Sequence, residues 1–472
     1  MNMKQAQPNL LFIMSDDHAS HAMSCYGSRI NETPNIDRIA HEGMRFDNCF
    51  CTNSICSPSR AAILSGTYNH LNGVKSIHDR FDGRQPNVAK MLKANGYQTA
   101  IIGKWHLGHG QEADPTGFDH WSVVPDQGEY HDPMFLEMGE PKRFKGYVTD
   151  LITDFSLNWL EQRDDTQPFM LMCHHKAPHR PWEPAEKYKD LYEDIDIPEP
   201  ATFYDDYETR SQAAKEAKMR IDRDLKDEED LKGLPPEDLS PVEQKRWRYQ
   251  RYIKDYLRCV ASIDESVGRL LDYLEAEGLA ENTLVIYTSD QGFFLGDHGW
   301  YDKRFMYEES LRMPFVVRYP AMIQPGSITS SMALNVDFPC TFLDLAGIDI
   351  PEDMQGVSLR KILEGETPEN WRTSMYYRYW MHLDKHHEVY SHYGIRTERY
   401  KLIYYYAEAL GTTGSVEENR PPEWELFDLH EDPYELNNVY GQEKYRDITV
   451  KLKQELRQLQ LQVLDEPVEE IG

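Results

Sequence analysis

Four short apolar runs, each ending in a cluster of polar and ionisable residues, restrict this chain more than any other feature. Leu10-Leu11-Phe12-Ile13-Met14 leads into Ser15-Asp16-Asp17-His18, and Thr99-Ala100-Ile101-Ile102 into Gly103-Lys104-Trp105-His106. Phe169-Met170-Leu171-Met172 leads into Cys173-His174-His175, and Leu284-Val285-Ile286-Tyr287 into Thr288-Ser289-Asp290-Gln291. A continuous apolar run bounded by turn formers reads as a strand buried on both faces, so the pattern predicts a largely parallel sheet between helices. In open sheets of this kind ligands bind beyond the carboxyl ends of the strands. One site collecting all four polar clusters is the economical expectation.

Helical patterns separate the runs. Residues 33–40 begin with Thr33-Pro34, a cap and a first-turn proline, and 87–92 end near Gly96. Across 247–274 apolar residues recur at helical spacing, among them Tyr252, Tyr256, Val260, Ile263, Val267 and Leu271. Between about 205 and 243 the chain turns highly charged and is broken by Leu234-Pro235-Pro236. This stretch reads as a solvated helical insertion: a lid, an oligomer contact or a passive surface excursion. After about 371 the texture changes to candidate strands at 393–396, 400–406 and 424–429 and a last helix at 445–463. The expected division is a catalytic domain, 1–370, and a smaller antiparallel-sheet subdomain, 371–472.

Lys and Arg total 51 against 80 Asp and Glu, a net charge of −29. That acidity argues against nucleic acid and anionic membranes as partners, and an anionic substrate would need local cations. The seven cysteines, at 25, 49, 51, 56, 173, 259 and 340, form no CxxC pair and suggest neither a disulfide framework nor a zinc ribbon. The run at 10–14 is too short for a signal-peptide core or a membrane span. The expected location is cytoplasmic if the chain is complete, and periplasmic or secreted if a leader was removed.

The sharpest motif is Cys56-Ser57-Pro58-Ser59-Arg60, followed by Ala61-Ala62-Ile63-Leu64-Ser65-Gly66. It reads as a helix start, with Ser57 as cap, Pro58 in the first position and Gly66 as terminator. Cys56 then lies where helix N–H groups stabilise an anion, with Arg60 one turn in. A buried cysteine before an ordinary helix is the alternative. Asp16, Asp17 and Asp290 on neighbouring strand ends would repel one another unless a cation sat among them. All-oxygen ligation suits Ca2+, or Mg2+ at a smaller site, rather than zinc.

The pentad has the Cys-x-Pro-Ser-Arg form converted to formylglycine in type I sulfatases, and the chain resembles that family. The likeness continues through Asp16-Asp17, Gly103-Lys104-Trp105-His106-Leu107-Gly108, His179-Arg180-Pro181, Asp290-Gln291-Gly292 and Lys303. It reaches Asp344-Leu345-Ala346-Gly347, Asp428-Leu429 and Asp432-Pro433, and so covers nearly the whole chain. The resemblance implies an alkaline-phosphatase-like α/β/α sandwich with a large, mostly parallel mixed sheet and a smaller C-terminal antiparallel sheet. It implies a sulfuric ester hydrolase holding Ca2+ (Mg2+ is less favoured) through Asp16, Asp17, Asp290, Gln291 and an oxygen at Cys56. Gln291 stands where the family has Asn. It further implies that Cys56 is converted to formylglycine by a formylglycine-generating or anaerobic sulfatase-maturating enzyme.

On this reading residue 56 supplies the nucleophile, Asp290 takes its proton, His179 or Lys303 protonates the departing alcohol, and His106 assists release of sulfate. Arg60, Lys104 and Lys303 stabilise charge on sulfate oxygens. Lys104, His179, Lys303 and His382 would touch substrate, while His174 and His175 read as structural or supporting. The stretch with Arg378, Tyr379, Trp380, His382, His386 and His387 is either a sugar-binding wall or a strand edge and its loop. Sulfated sugars, particularly 6-O-sulfated N-acetylglucosamine, are the expected substrates, from the 175–182 segment and Asp302-Lys303-Arg304. Two rival readings are a phosphonate monoester or phosphodiester hydrolase, and a silent sulfated-glycan-binding protein in which Cys56 is never converted.

Overall fold

The computed structural model describes residues 7–468; residues 1–6 and 469–472, the outer ends of the two expected domains, lie outside the described residues. All four apolar runs are central strands. Asn9–Ser15 lies between Phe169–His174 and Thr283–Ser289, parallel to both. Gln98–Lys104 is parallel to Phe169–His174 on one side and to His120–Val124 on the other. Along Asn9–Ser15, Leu10, Phe12 and Met14 enter the core on one face while Leu11 and Ile13 enter the core on the other. Burying each such side chain contributes roughly 1.5–3 kcal/mol. Further strands extend the sheet to ten, among them the antiparallel Phe315–Arg318 beside Thr283–Ser289 and the antiparallel pair Met134–Glu137 and Glu140–Arg143 at the far edge.

Helices cover both faces. The helix expected at 247–274 runs further, Pro241–Ala276, because Ser240 and Glu243 form a capping box before a first-turn proline. The Tyr256 hydroxyl on this helix donates to the Asp17 carbonyl at 2.7 Å, which ties the helix to the strand ends. Val148–Gln162 packs beside it. The motif helix is Cys56–Ser65, capped by Ile55 rather than by Ser57, which lies inside the first turn. Its C-terminal Gly66 adopts φ 71°, as a left-handed helix end requires.

Two expectations are corrected here. The 205–243 stretch is not a solvated helical insertion: it holds only the short helix Gln212–Glu216 and the start of Pro241–Ala276. Ile221, Leu225 and Leu231 are buried in the main core, and two of its charges are buried in ion pairs, Arg210 with Asp205 at 2.8 Å and Asp230 with Arg180. The C-terminal sheet has four antiparallel strands, not three, in the order Ser374–Tyr379, His392–Thr397, Tyr400–Tyr405 and Glu423–Asp428. The helix Arg446–Gln462 packs on it. Among the described residues no helix is long and apolar enough to cross a membrane.

Candidate active site

Because the central strands run parallel, Asp16-Asp17, Lys104, the 175–179 loop and Asp290-Gln291 emerge on one side of the sheet. The helix Cys56–Ser65 brings Arg60 among them. Arg60 Nε donates to Asp290 Oδ2 at 3.0 Å, its Nη2 lies 3.3 Å from Asp16 Oδ2, and its Nη1 donates to the Lys104 carbonyl at 2.7 Å. Lys104 Nζ contacts Asp16 Oδ2 and Gln127 Oε1. Lys303 Nζ bonds both oxygens of Asp17, at 2.5 and 2.7 Å. The Asp17 N–H donates to Asp290 Oδ1 at 3.2 Å. Three carboxylates and three bases are therefore interlocked and almost wholly buried.

Burial shapes their ionisation. It raises Asp17 to about 8, with Lys303 opposing and Asp16, Asp290 and Asp302 adding to the rise. Burial raises Asp290 as well, with Asp16 adding. Asp16 goes the other way: burial is outweighed by Lys104, His179, Arg60 and Lys303, which hold it well below the usual carboxylate range. Burial holds His106 and His179 well below the usual histidine range, and Lys104 adds to both shifts.

The donor set fits a hard divalent cation. Asp16 Oδ1 and Gln291 Oε1 are buried without a hydrogen-bond partner. Gln291 Nε2 donates to Asp17 Oδ1 at 2.5 Å, which leaves the amide oxygen as the free end. Unpaired buried oxygens beside crowded carboxylates are what an oxygen-ligated ion satisfies. A second grouping, Asp16, Asp17 and His179, also has ligand atoms within 4.8 Å of one another. Its imidazole suits softer metals, so the oxygen set is the better match for Ca2+.

Cys56, 2% exposed, reaches a cavity of about 180 Å³ that is also lined by Gln127, His179, Arg180, Lys303 and Arg304. Burial raises its thiol, against the pull of Lys104 and Lys303, so the sulfur stays protonated and a weak nucleophile. His179 Nε2 lies 3.9 Å from Asp17 Oδ2, and His106 Nδ1 is 3.2 Å from the Ser57 hydroxyl. Asp17, His106, Asp302 and Arg304 have φ of 70°, 54°, 76° and 94°, left-handed conformations uncommon outside glycine. Such backbone strain concentrates at functional sites.

Residues 8–348 match the sulfatase family profile. The chain belongs to the sulfatase family. Residues 296–462 also match the family described as N-sulphoglucosamine sulphohydrolase, C-terminal. This sulfatase is 44% identical to an N-acetylglucosamine-6-O-sulfatase of Bacteroides thetaiotaomicron, over 98% of its own length and 88% of the relative's. It superposes with TM-score 0.92 and 44% identity on a structure described as a complex with its substrate D-glucosamine-2-N,6-O-disulfate, covering 99% of this chain and 100% of that one. A phosphonate monoester hydrolase of Agrobacterium radiobacter gives TM-score 0.75 at 22% identity over 97% and 96% of the two chains, a likeness of fold alone. The enzyme is a sulfuric ester hydrolase of alkaline-phosphatase-like fold.

Other expected residues fall as follows. His174 Nδ1 lies 3.3 Å from the Lys104 carbonyl and His175 Nε2 lies 3.1 Å from the Ser266 hydroxyl, so both rings are engaged in the protein interior. His382 is corrected: it does not line the cavity, because its ring nitrogens meet the Glu418 carbonyl at 2.9 Å and the Ser391 N–H at 3.3 Å. His386 and His387 of the same stretch line the cavity instead. His387 bridges Asp384 Oδ1 at 2.9 Å and Asp302 Oδ2 at 3.3 Å, and Arg304 Nε donates to Asp302 Oδ1 at 3.2 Å. Gln127, Lys226 and Glu229 were not anticipated. Gln127 follows the strand His120–Val124, in the turn Pro125-Asp126-Gln127-Gly128, which a search for turn formers after strands would have found.

Proposed function

We propose that this sulfatase hydrolyses the 6-O-sulfate ester of a glucosamine-type sugar, with residue 56 matured to formylglycine and Ca2+ held by Asp16, Asp17, Asp290 and Gln291. Cys56 carries the reading: it lines the cavity with Lys303 and His179, and Lys303 grips Asp17, whose Oδ1 also accepts from Gln291. The named substrates of the two relatives at 44% identity support the sugar. Once formed and hydrated, formylglycine would supply a hydroxyl as nucleophile in place of the weak thiol, and Ca2+ would supply Lewis acidity and charge neutralisation beside it. Maturation by a formylglycine-generating or anaerobic maturating enzyme has to precede final folding, because residue 56 is almost wholly buried.

The chain's own residues do the rest. Lys303 reaches the cavity and is placed to hold the sulfate group. Lys104, buried on Asp16 and Gln127 and not lining that cavity, adds positive charge behind it, and Arg60 fixes the carboxylates. Asp290, raised by burial, is suited to accepting the proton of the nucleophile. Of the two candidate acids the geometry favours His179 over Lys303, whose ammonium is locked on Asp17 and held above its ordinary range despite burial. His179 Nδ1 donates to the Arg180 carbonyl at 2.6 Å, which leaves Nε2 for the leaving oxygen. The arriving sulfate ester is an anion and opposes the downward shift of His179, so protonation of Nε2 is coupled to substrate binding. His106 lies beside Ser57 and assists the later proton loss.

The test is turnover of N-acetylglucosamine 6-sulfate by matured enzyme, compared with the 3-sulfate isomer and with a phosphodiester. The 6-sulfate is expected to be fastest by at least about a hundredfold. Faster phosphodiester cleavage would overturn the reading in favour of the phosphonate or phosphodiester hydrolases. An unconverted Cys56 in the mass spectrum of the native protein would favour a silent glycan binder.

A further inference from the structure

His179 is held from both flanks, and the holds trace back to Tyr130 and Asp230, neither of which lines the cavity. On one side its carbonyl accepts a hydrogen bond from the Tyr130 hydroxyl at 2.6 Å. On the other, the carbonyl that fixes its Nδ1 belongs to Arg180. The Arg180 guanidinium is held by Asp230, with Nε donating to Oδ1 at 3.1 Å and Nη2 pairing with Oδ2. Asp230 comes from the charged 205–243 stretch, is 0% exposed, and also accepts the Lys226 N–H at 2.8 Å.

The Tyr130 side has one more unusual feature. Lys176 is 1% exposed, its Nζ has no hydrogen-bond partner, and it stands 4.3 Å from the centre of the Tyr130 ring. An ammonium without polar partners is costly to bury, and the aromatic face offsets part of that cost. The same charge draws electron density from the phenol and strengthens its O–H as a donor toward His179.

We infer that Tyr130 and Asp230 are positioning residues for His179, gripping the backbone on its two sides so that Nε2 meets the leaving oxygen of the sulfate ester. The inference rests on the proposed role of His179 as the acid. It also gives the charged stretch a task, because through Asp230 that stretch orients a group in the site. A proton donor acts only within hydrogen-bond reach of the leaving atom, and a misplacement of about 1 Å costs on the order of a hundredfold in rate. Partial loosening by removal of one grip should cost less.

A double-mutant cycle on the matured, full-length enzyme tests this. Tyr130→Phe and Asp230→Asn are each made in the wild-type and in the His179→Ala background, and kcat and KM are measured on N-acetylglucosamine 6-sulfate. In the wild-type background each variant is expected to lower kcat roughly tenfold, with KM changed less than about twofold. In the His179→Ala background the same changes should lower kcat less than about twofold, since nothing is left to position. Equal losses in both backgrounds, or an unchanged kcat for Tyr130→Phe in the first, would overturn the inference. Tyr130→Phe keeps the ring and decides alone if Asp230→Asn does not fold. A His179→Ala enzyme with wild-type kcat would overturn the acid role of His179, whereas a crippled one with additive partners would overturn only the grip.

Discussion

Two clusters of buried charge lie close together along the chain and are built to different ends. At the strand ends Asp16, Asp17 and Asp290 face Arg60, Lys104 and Lys303. A few residues after Lys303, Glu308 pairs with Arg396 at 3.2 Å and Lys401 at 3.0 Å, and Lys401 with Glu435 at 2.6 Å. Both clusters match acids to bases in number. In the second, Glu435 Oε2 accepts the Glu308 N–H at 2.7 Å and both Glu308 oxygens meet Arg396, while Glu435 Oε1 and Lys401 Nζ form an ion pair without hydrogen-bond geometry. It fastens the small sheet to the main domain, Arg396 and Lys401 being sheet residues. In the first, Asp16 Oδ1 and Gln291 Oε1 have no hydrogen-bond partner, and Lys303 reaches the cavity that Cys56 lines. Neutrality therefore does not distinguish a working site from a fastening; what sets the first cluster apart is that its Lys303 lines a cavity together with Cys56.

The contrast breaks most plainly at Cys56. Cys56→Ala is expected to cut sulfate release by at least about a thousandfold with little change in melting temperature, and a modest loss would remove residue 56 from the chemistry. The mirror experiment is Lys401→Met. Leaving Glu308 and Glu435 short of a buried partner should destabilise the fold by about 3–5 kcal/mol in urea denaturation while leaving kcat/KM unchanged. Lost activity in the folded fraction would mean the two clusters are coupled. Asp290→Asn is next in size, an expected loss of about a hundredfold in kcat, reproduced in the wild type by a calcium chelator.

How far these differences were legible in the sequence depends on the residues. The four central strands showed plainly because burial on both faces demands uninterrupted apolar side chains, and the ionisable residues follow each run directly. His120-Trp121-Ser122-Val123-Val124 breaks that pattern, so its strand and Gln127 beyond it stayed hidden. The 205–243 stretch looked solvated because its charges were visible and their partners, such as Arg180 for Asp230, were distant in sequence. The choice of His387 over His382 turns on the loop around them, where Leu383 and Glu388 take φ of 51° and 50°, a geometry no local pattern announces.

The smallest expected effect concerns pH. Burial raises Glu435 from 4.5 to about 7, with Glu308 and Glu309 adding and Lys401 opposing. Between those two values the folded state binds more protons than the unfolded state, so this group makes stability fall as pH rises through that window. The urea midpoint, taken with calcium saturating so that Asp17 is held by the ion, should drop between pH 5 and pH 7.5. Glu435→Gln, neutral throughout, should flatten the drop. A midpoint that rises in the wild type, or falls equally in the variant, would assign the dependence elsewhere.

Calcium titration of metal-stripped, full-length protein by calorimetry bears most directly on the strand-end oxygens. One ion per chain should bind to the wild type, with affinity at least about tenfold weaker in Asp16→Asn and Asp290→Asn and unaltered in Lys401→Met. Absence of binding, or binding that ignores both strand-end substitutions, would contradict a divalent ion gripped beside residue 56.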